Sequence, residues 1–347
     1  MALPAVARTG ALAAEGSPSA NDRVGVGFIG VGGMGSGHLG GYARDRKYPA
    51  LAVCDVDATH RERAAQSVGP ECGKHNDYRE LLDRKDIDAV VIAVPDHWHA
   101  LTAIHACEAG KDVYCEKPLS LTIAQARAMA NAARRYERVF QTGSQQRSSD
   151  EFRRACELVR SGRIGKIKEV LVSVWGTSKP CALPAEETPA GMDWDRWIGP
   201  APWRPFNKGL HPFNWRNYRE YSGGMMTDWG AHHLDIAQWG LGMDHSGPVE
   251  VLPPGGQGQE FVTYRYESGV TVKCGQVNVN GVQFVGESGK ITVNRGYFHS
   301  TRRRPQRSLS APATSTSTGA RGITRTGGGA SGRAAGRSPT SRSAHGP

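Results

Sequence analysis

Three short segments carry ionisable side chains at spacings suited to proton transfer: Pro95-Asp96-His97-Trp98-His99, Glu116-Lys117-Pro118 and Asp228-Trp229-Gly230-Ala231-His232-His233-Leu234-Asp235. A lysine or histidine with a pKa tuned toward neutrality can take the proton of an alcohol while hydride leaves the same carbon. Lys117 beside a second positive charge would have its own charge disfavoured. Asp228 and His232 are four apart, hence on one face if their segment is helical, where Asp228 would orient His232 and fix its tautomer. The structural alternatives are a solvated Lys117 before a turn proline, Asp228 as a helix cap, His232 as a core histidine, His233 as a packing residue and His97 as an exposed one. No metal site is expected from His97, His99, His232 and His233, because no H-E-x-x-H or similar ligand spacing is present.

Hydride transfer needs an acceptor, and the glycines supply a place for one. The apolar run 24–29 leads directly into Gly30-Val31-Gly32-Gly33-Met34-Gly35, a G-x-G-x-x-G pattern at a strand-to-helix turn. There Gly30 would permit the tight turn, Gly32 the approach of the pyrophosphate and Gly35 the packing of helix on strand, with the helix N-terminus facing the phosphate charge. The chain has 44 Gly, so the pattern alone is weak. Its position decides: Asp55 follows the next strand, 20 residues after Gly35, where a carboxylate would accept hydrogen bonds from a ribose diol. A 2'-phosphate about 4 Å from Asp55 would be repelled by about 4 kcal/mol at an effective dielectric of 20, which favours NAD over NADP. Arg61 and Arg63 lie close enough in sequence to screen that repulsion.

The elements that must position these groups alternate from residue 23 onward. Runs at 24–29, 51–54, 89–94, 113–115 and 139–141 read as strands, and 59–67, 99–109 and 121–135 as helices, the last opened by a Thr122-x-x-Gln125 capping pattern. Such alternation implies a doubly wound parallel sheet covered on both faces. After a helix at 150–160 the period changes to two, with strands at 167–175, 261–266, 270–277, 282–285 and 291–293 and a hairpin turn at Glu267-Ser268-Gly269. Val270, Val272 and Cys274 should face a core, and Thr271 and Lys273 water. The expected fold class is thus α/β plus α+β: an N-terminal Rossmann domain at 22–146 and a predominantly antiparallel domain at 147–299.

Composition excludes several classes. No apolar run approaches the ~20 residues that cross a bilayer, so no membrane partner is expected. The net charge of +10 is concentrated: residues 301–347 contain nine Arg and no Lys, Asp or Glu, leaving 34 basic against 33 acidic residues before them. That tail lacks aromatic stacking residues, so no specific nucleic-acid partner is expected. Residues 300–347 are too poor in large apolar side chains to offset ordering costs and read as disordered. Residues 1–21 read as a disordered start or the remnant of an export signal, which leaves the compartment open. Seven dispersed cysteines without a C-x-x-C pair read as core residues, Cys115 among them.

Together, Gly30-x-Gly32-x-x-Gly35, Asp55, the Pro95–His99 segment, Glu116-Lys117-Pro118 and Gly224-x-x-x-Asp228-x-Gly230-x-His232-x-x-Asp235 resemble the Gfo/Idh/MocA oxidoreductases, named after glucose-fructose oxidoreductase and inositol dehydrogenase, over roughly residues 23–296. The resemblance implies Lys117, Asp228 and His232 as the catalytic group. It implies a cofactor site including Gly30, Gly32, Gly33, Met34, Gly35, Asp55, Pro95, His99, Glu116, Lys117 and Gln145. The substrate implied is a sugar, polyol or sugar derivative, with Arg147, Trp215 and Arg216 facing it beside the catalytic group. Trp197-Ile198-Gly199-Pro200 and His211-Pro212-Phe213-Asn214-Trp215-Arg216 are similar to a subgroup acting on sugars. A homo-oligomer is implied as well. The chain departs from the family at Tyr297, where an arginine-rich stretch replaces the usual packed terminus, as a shifted reading frame would produce. The expected function is NAD-dependent dehydrogenation of a sugar or polyol hydroxyl. The alternatives are glycoside cleavage through transient oxidation by a retained NAD and nucleotide binding without catalysis.

Overall fold

Short apolar strands that bury both faces need helices on both sides, and the chain supplies them in order. A computed structural model describes residues 22–42 and 45–302. Its first sheet uses β1 (Val26–Ile29), β2 (Ala50–Cys54), β3 (Gly73–His75), β4 (Ala89–Ile92), β5 (Asp112–Glu116) and β6 (Phe140–Gly143), in the order β3-β2-β1-β4-β5-β6. Every neighbouring pair is parallel. Phe28, Leu39, Val53 and Ala64 fill the core on the face of α1 (Gly33–Tyr42) and α2 (Ala58–Val68). Leu81, Ile92, Ala103 and Met129 fill the other, under α3 (Tyr78–Leu82), α4 (Asp96–Glu108) and α5 (Ile123–Arg135). The cap that opens α5 is reciprocal, with Thr122 and Gln125 each bonding the other's backbone N–H.

After α6 (Asp150–Arg160) the chain builds a second sheet from β7 (Ile167–Ser173), β8 (Glu250–Leu252), β9 (Val262–Arg265), β10 (Thr271–Gly275), β11 (Val282–Gly286), β12 (Gly289–Asn294) and β13 (Tyr297–Arg302). The order is β13-β12-β11-β7-β10-β9-β8. The sheet is mostly antiparallel as expected, but β7 and β10 pair in parallel, so it is mixed. The expected alternation places Val270, Val272 and Cys274 in the core, whereas Thr271 and Lys273 are half-buried rather than in water. Lys273 pairs with Glu169 across that parallel join. β13 corrects the departure expected at Tyr297 and the tail expected from 300: residues Tyr297–Arg302 form a strand whose backbone pairs with β12 regardless of side chain. The expectations for residues 1–21 and 303–347 lie outside the described residues.

Helix α8 (Met225–Leu241) lies on this sheet, and Gly240 lets it come close: a Cβ there would stand 2.4 Å from the Phe284 ring. Between the two sheets an irregular strap, residues 194–221, begins with the short α7 (Trp194–Ile198). It buries Trp194, Trp197, Phe206, Leu210, Trp215 and Tyr221 in a cluster that also takes in Val56. Trp194 and Trp197 stack with centroids 4.5 Å apart. No helix among the described residues is long and apolar enough to cross a membrane.

Candidate active site

Strand order reverses between β1 and β4, and ligands of doubly wound sheets bind outside the carboxyl ends of the strands at that switch point. A cleft of about 440 Å³ lies there. Gly30, Gly32, Gly33, Met34, Asp55, Pro95, His99, Glu116, Lys117, Trp215 and Arg216 all line it, whereas Gly35, Gln145, Arg147, Asp228 and His232 do not.

The glycines divide by cause. Gly30 has φ +81°, and a Cβ would stand 2.7 Å from the Ala93 carbonyl oxygen; at Gly35 it would stand 1.8 Å from the Gly30 carbonyl oxygen. These two are demanded by the fold itself. At Gly33 a Cβ would meet nothing within 4 Å, and at Gly32 only the His60 ring at 3.6 Å. Nothing among the described residues forbids a side chain there, so the bare backbone leaves room for a ligand beside the N-terminus of α1. Asp55 Oδ2 accepts from Val31 N at 2.8 Å and Oδ1 from Asp57 N at 2.9 Å, which aims the carboxylate along the cleft with lone pairs to spare. The residues present therefore fit a dinucleotide. Arg61 is tied to the Asp55 carbonyl at 2.6 Å and to Asn76 at 3.1 Å.

The proton-handling end follows β5. Glu116, 4% exposed, has His38 Nε2 at 2.7 Å and accepts from Gln145 Nε2 at 2.6 Å, both at Oε1, while Oε2 accepts from Lys117 N at 3.1 Å. Gln145 thus acts from behind Glu116. His99 Nδ1 stands 2.6 Å from the Pro118 carbonyl oxygen and Nε2 2.9 Å from that of Val94. Burial pushes its pKa down, and the neutral ring has one N–H to donate between them, tying the loops after β4 and β5 together.

Lys117 Nζ hydrogen-bonds Asp228 Oδ1, and Arg216 Nε lies 3.8 Å from Asp228 Oδ2. The Arg216 guanidinium stacks over Trp215 and Phe213 at 4.3 and 4.4 Å. Asp228 therefore serves Lys117 and Arg216, which corrects the expectation that it orients His232 by a hydrogen bond. Both do lie on α8 and share a face. Burial, then the charges of Lys117 and Arg295, push His232 down to about 4, so its ring is neutral at pH 7.

Two further expectations are corrected. His97 is 2% exposed rather than surface-lying: its Nε2 stands 3.0 Å from the Trp197 carbonyl oxygen, which also accepts from Trp98 Nε1 at 2.9 Å. Burial pushes its pKa down to about 4. Arg147 turns away from the cleft into a two-point pair with Asp235, at 2.8 and 2.7 Å, and a bond to Asp244 at 2.7 Å. Removing a half-exposed clamp of this kind costs about 1 kcal/mol. Arg147→Ala is therefore expected to lower the melting temperature by roughly 2 to 4 °C with KM unchanged; thermal melts and steady-state kinetics separate this from a substrate contact, which would raise KM.

Asp96 was missed as a site group. It lines the cleft, is 4% exposed, and accepts from Ser222 Oγ at 2.7 Å; Ser222 Oγ in turn accepts from Gly224 N at 3.3 Å, just ahead of α8. Burial pushes its carboxyl up from 3.8 to about 7, against the Ser222 bond and the charges of Arg216 and Lys117. A raised folded-state pKa means a stability contribution fully present below about pH 4 and lost as the pH rises through 7. Asp96→Asn removes that dependence. The stability of the wild type relative to the variant is expected to fall between pH 4 and 8, by at most about 1.4 kcal/mol per pH unit. Paired denaturant titrations across that range check it, and a flat difference would contradict it.

A doubly wound sheet whose glycine turn and strand-end lysine share a cleft, backed by a mixed sheet, defines a dinucleotide-binding domain joined to a second, α/β domain. The chain belongs to the Gfo/Idh/MocA oxidoreductase family: residues 24–144 match its NAD-binding Rossmann fold and residues 172–300 its C-terminal alpha/beta domain. A glycosyl hydrolase family 109 protein of Shewanella pealeana is 36% identical over 125 residues, 34% of this chain and 27% of the relative. A levoglucosan dehydrogenase of Pseudarthrobacter phenanthrenivorans is 31% identical over 225 residues, 62% of this chain and 51% of the relative. The chain thus spans about half or less of the length of these relatives. The crystal structure of the WlbA dehydrogenase of Bordetella pertussis, in complex with NADH and UDP-GlcNAcA, shares the fold with a TM-score of 0.61 at 19% identity, covering 82% of this chain and 84% of that one.

Proposed function

We propose that this chain is an NAD-dependent oxidoreductase acting on a secondary hydroxyl of a sugar, polyol or sugar derivative. The observation that carries the reading is the pairing of Lys117, at the end of β5 in the cleft, with Asp228 from the helix of the second sheet. Asp55 follows β2 and Lys117 follows β5, three strand steps apart, roughly 14 Å at the usual spacing. That span suits a dinucleotide with its adenosine ribose on Asp55, its pyrophosphate over Gly32 and Gly33, and its nicotinamide end toward Glu116. Bound there, NAD supplies a two-electron acceptor.

The chain's own residues do the rest. Lys117 Nζ takes the carbinol proton, and Asp228 holds that amine in place and balances its charge once protonated. The neutral His232 offers a hydrogen bond to the same oxygen. Trp215 and Arg216 line the part of the cleft where a sugar ring would lie. The Asp55 carboxylate, which would repel a 2'-phosphate, favours NAD over NADP. The names of the two relatives, one a levoglucosan dehydrogenase and one a glycosyl hydrolase, support a saccharide substrate.

The test is a panel of sugars, polyols and glycosides incubated with NAD. Substrate-dependent NADH accumulation is expected. The glycosidase reading, favoured by the family 109 relative, predicts sugar release without net NADH; cofactor binding without turnover across the panel would contradict both enzymatic readings. Self-association is part of the same proposal and rests on family membership; sedimentation velocity of the full chain, with a species heavier than a monomer expected, tests it.

A further inference from the structure

Asp57, His60 and His211 form a group that the proton-transfer chemistry does not use. Asp57 Oδ1 is committed as the N-cap of α2, accepting from Thr59 N at 2.8 Å and His60 N at 3.4 Å. That leaves Oδ2 facing two imidazoles, with His211 Nε2 at 3.0 Å and His60 Nδ1 at 3.9 Å. The three donor atoms all lie within 4.8 Å of one another. His60 Nδ1 also stands 3.8 Å from Asp55 Oδ2. It is flanked by two carboxylates at distances beyond a hydrogen bond but within reach of an ion pair when its ring is protonated, and they push its pKa up.

The same three donor atoms are also spaced to share one ion. Around Zn²⁺ with bonds of about 2.0 to 2.2 Å, tetrahedral donors stand roughly 3.3 to 3.6 Å apart, between the two separations measured from Asp57 Oδ2. The cap holds the carboxylate in a fixed orientation, as outer partners of metal ligands do. Two imidazoles and one carboxylate are the donors of a borderline transition metal, not of Ca²⁺ or Mg²⁺, which take oxygen. We propose that Asp57 Oδ2, His60 Nδ1 and His211 Nε2 bind one divalent transition-metal ion such as Zn²⁺, with water completing its coordination.

The site would do structural work. Asp57 and His60 belong to the start of α2, and His211 to the strap that roofs the cleft; the ion would fasten one to the other beside the Asp55 end. Sequence spacing hides the site, because His211 lies 154 residues after Asp57.

The test uses the untagged full-length chain, stripped with chelator and titrated with Zn²⁺ by calorimetry, with bound zinc counted by elemental analysis after dialysis. One zinc per chain is expected, with a melting temperature that rises with zinc concentration. His60→Ala and His211→Ala are each expected to weaken binding at least tenfold, while His245→Ala, an exposed control, leaves it unchanged. Asp57→Asn keeps the cap, since Asn caps as well as Asp, and is also expected to weaken binding at least tenfold, so the proposal stays testable if His211→Ala fails to fold. Absence of saturable binding in the wild type, or equal affinity in His60→Ala and Asp57→Asn, overturns it.

Discussion

Lys117→Ala is expected to lower kcat by roughly 10²- to 10⁴-fold, the usual contribution of a positioned acid–base group. The side chain is 13% exposed, and its Nζ is held by Asp228. Its removal leaves the local backbone anchored, because Lys117 N still donates to Glu116 Oε2 and His99 still braces Pro118. NADH affinity, read by fluorescence, should therefore change little while turnover collapses. Lys117→Arg should not restore the rate, since a guanidinium stays protonated above pH 12 and cannot accept the carbinol proton. An unchanged kcat in Lys117→Ala would remove the residue from the mechanism.

Gly35→Ala is the second large effect. A Cβ 1.8 Å from the Gly30 carbonyl oxygen cannot be accommodated without moving the turn or the helix, so both stability and NAD binding should be lost. Gly32→Ala separates the two properties. The new methyl meets only the His60 ring at 3.6 Å, an ordinary contact, so the melting temperature should hold. It nevertheless occupies the space assigned to the pyrophosphate, and NAD affinity should fall at least tenfold, which is about 1.4 kcal/mol. Calorimetry with NAD and thermal melts on the two variants check this; full NAD affinity in Gly32→Ala would place the cofactor elsewhere.

What the sequence made legible was local. A strand, a glycine turn and a helix follow one another within residues 26–42, and the positive φ of Gly30 is needed by neighbours close in the chain. The cap of α5 and the whole of α6 likewise depend on residues three or four apart. The second sheet's mostly antiparallel character followed from its period of two, but the parallel β7–β10 join links strands about 100 residues apart and leaves no local trace.

The side-chain partnerships were hidden for the same reason. His97 is buried because the Trp197 carbonyl, 100 residues later, comes to it, and because Gly199 makes room for Trp98. Arg147 left the substrate wall for Asp235 and Asp244, acids roughly 90 residues away that no spacing rule connects to it. Asp228 pairs with Lys117, 111 residues away in sequence and reached across the cleft, rather than with the ring four residues along its own helix. Asp96 became conspicuous only once its burial and its Ser222 partner were visible.

A crystal structure of the wild-type chain grown with NADH tests the central claim most directly. The account predicts the adenosine ribose on Asp55, the pyrophosphate over Gly32 and Gly33, and the nicotinamide beside Lys117, with room for a carbinol between that ring, Lys117 Nζ and His232. A dinucleotide bound outside this cleft, or lying in it with the nicotinamide toward Asp55, would contradict the account.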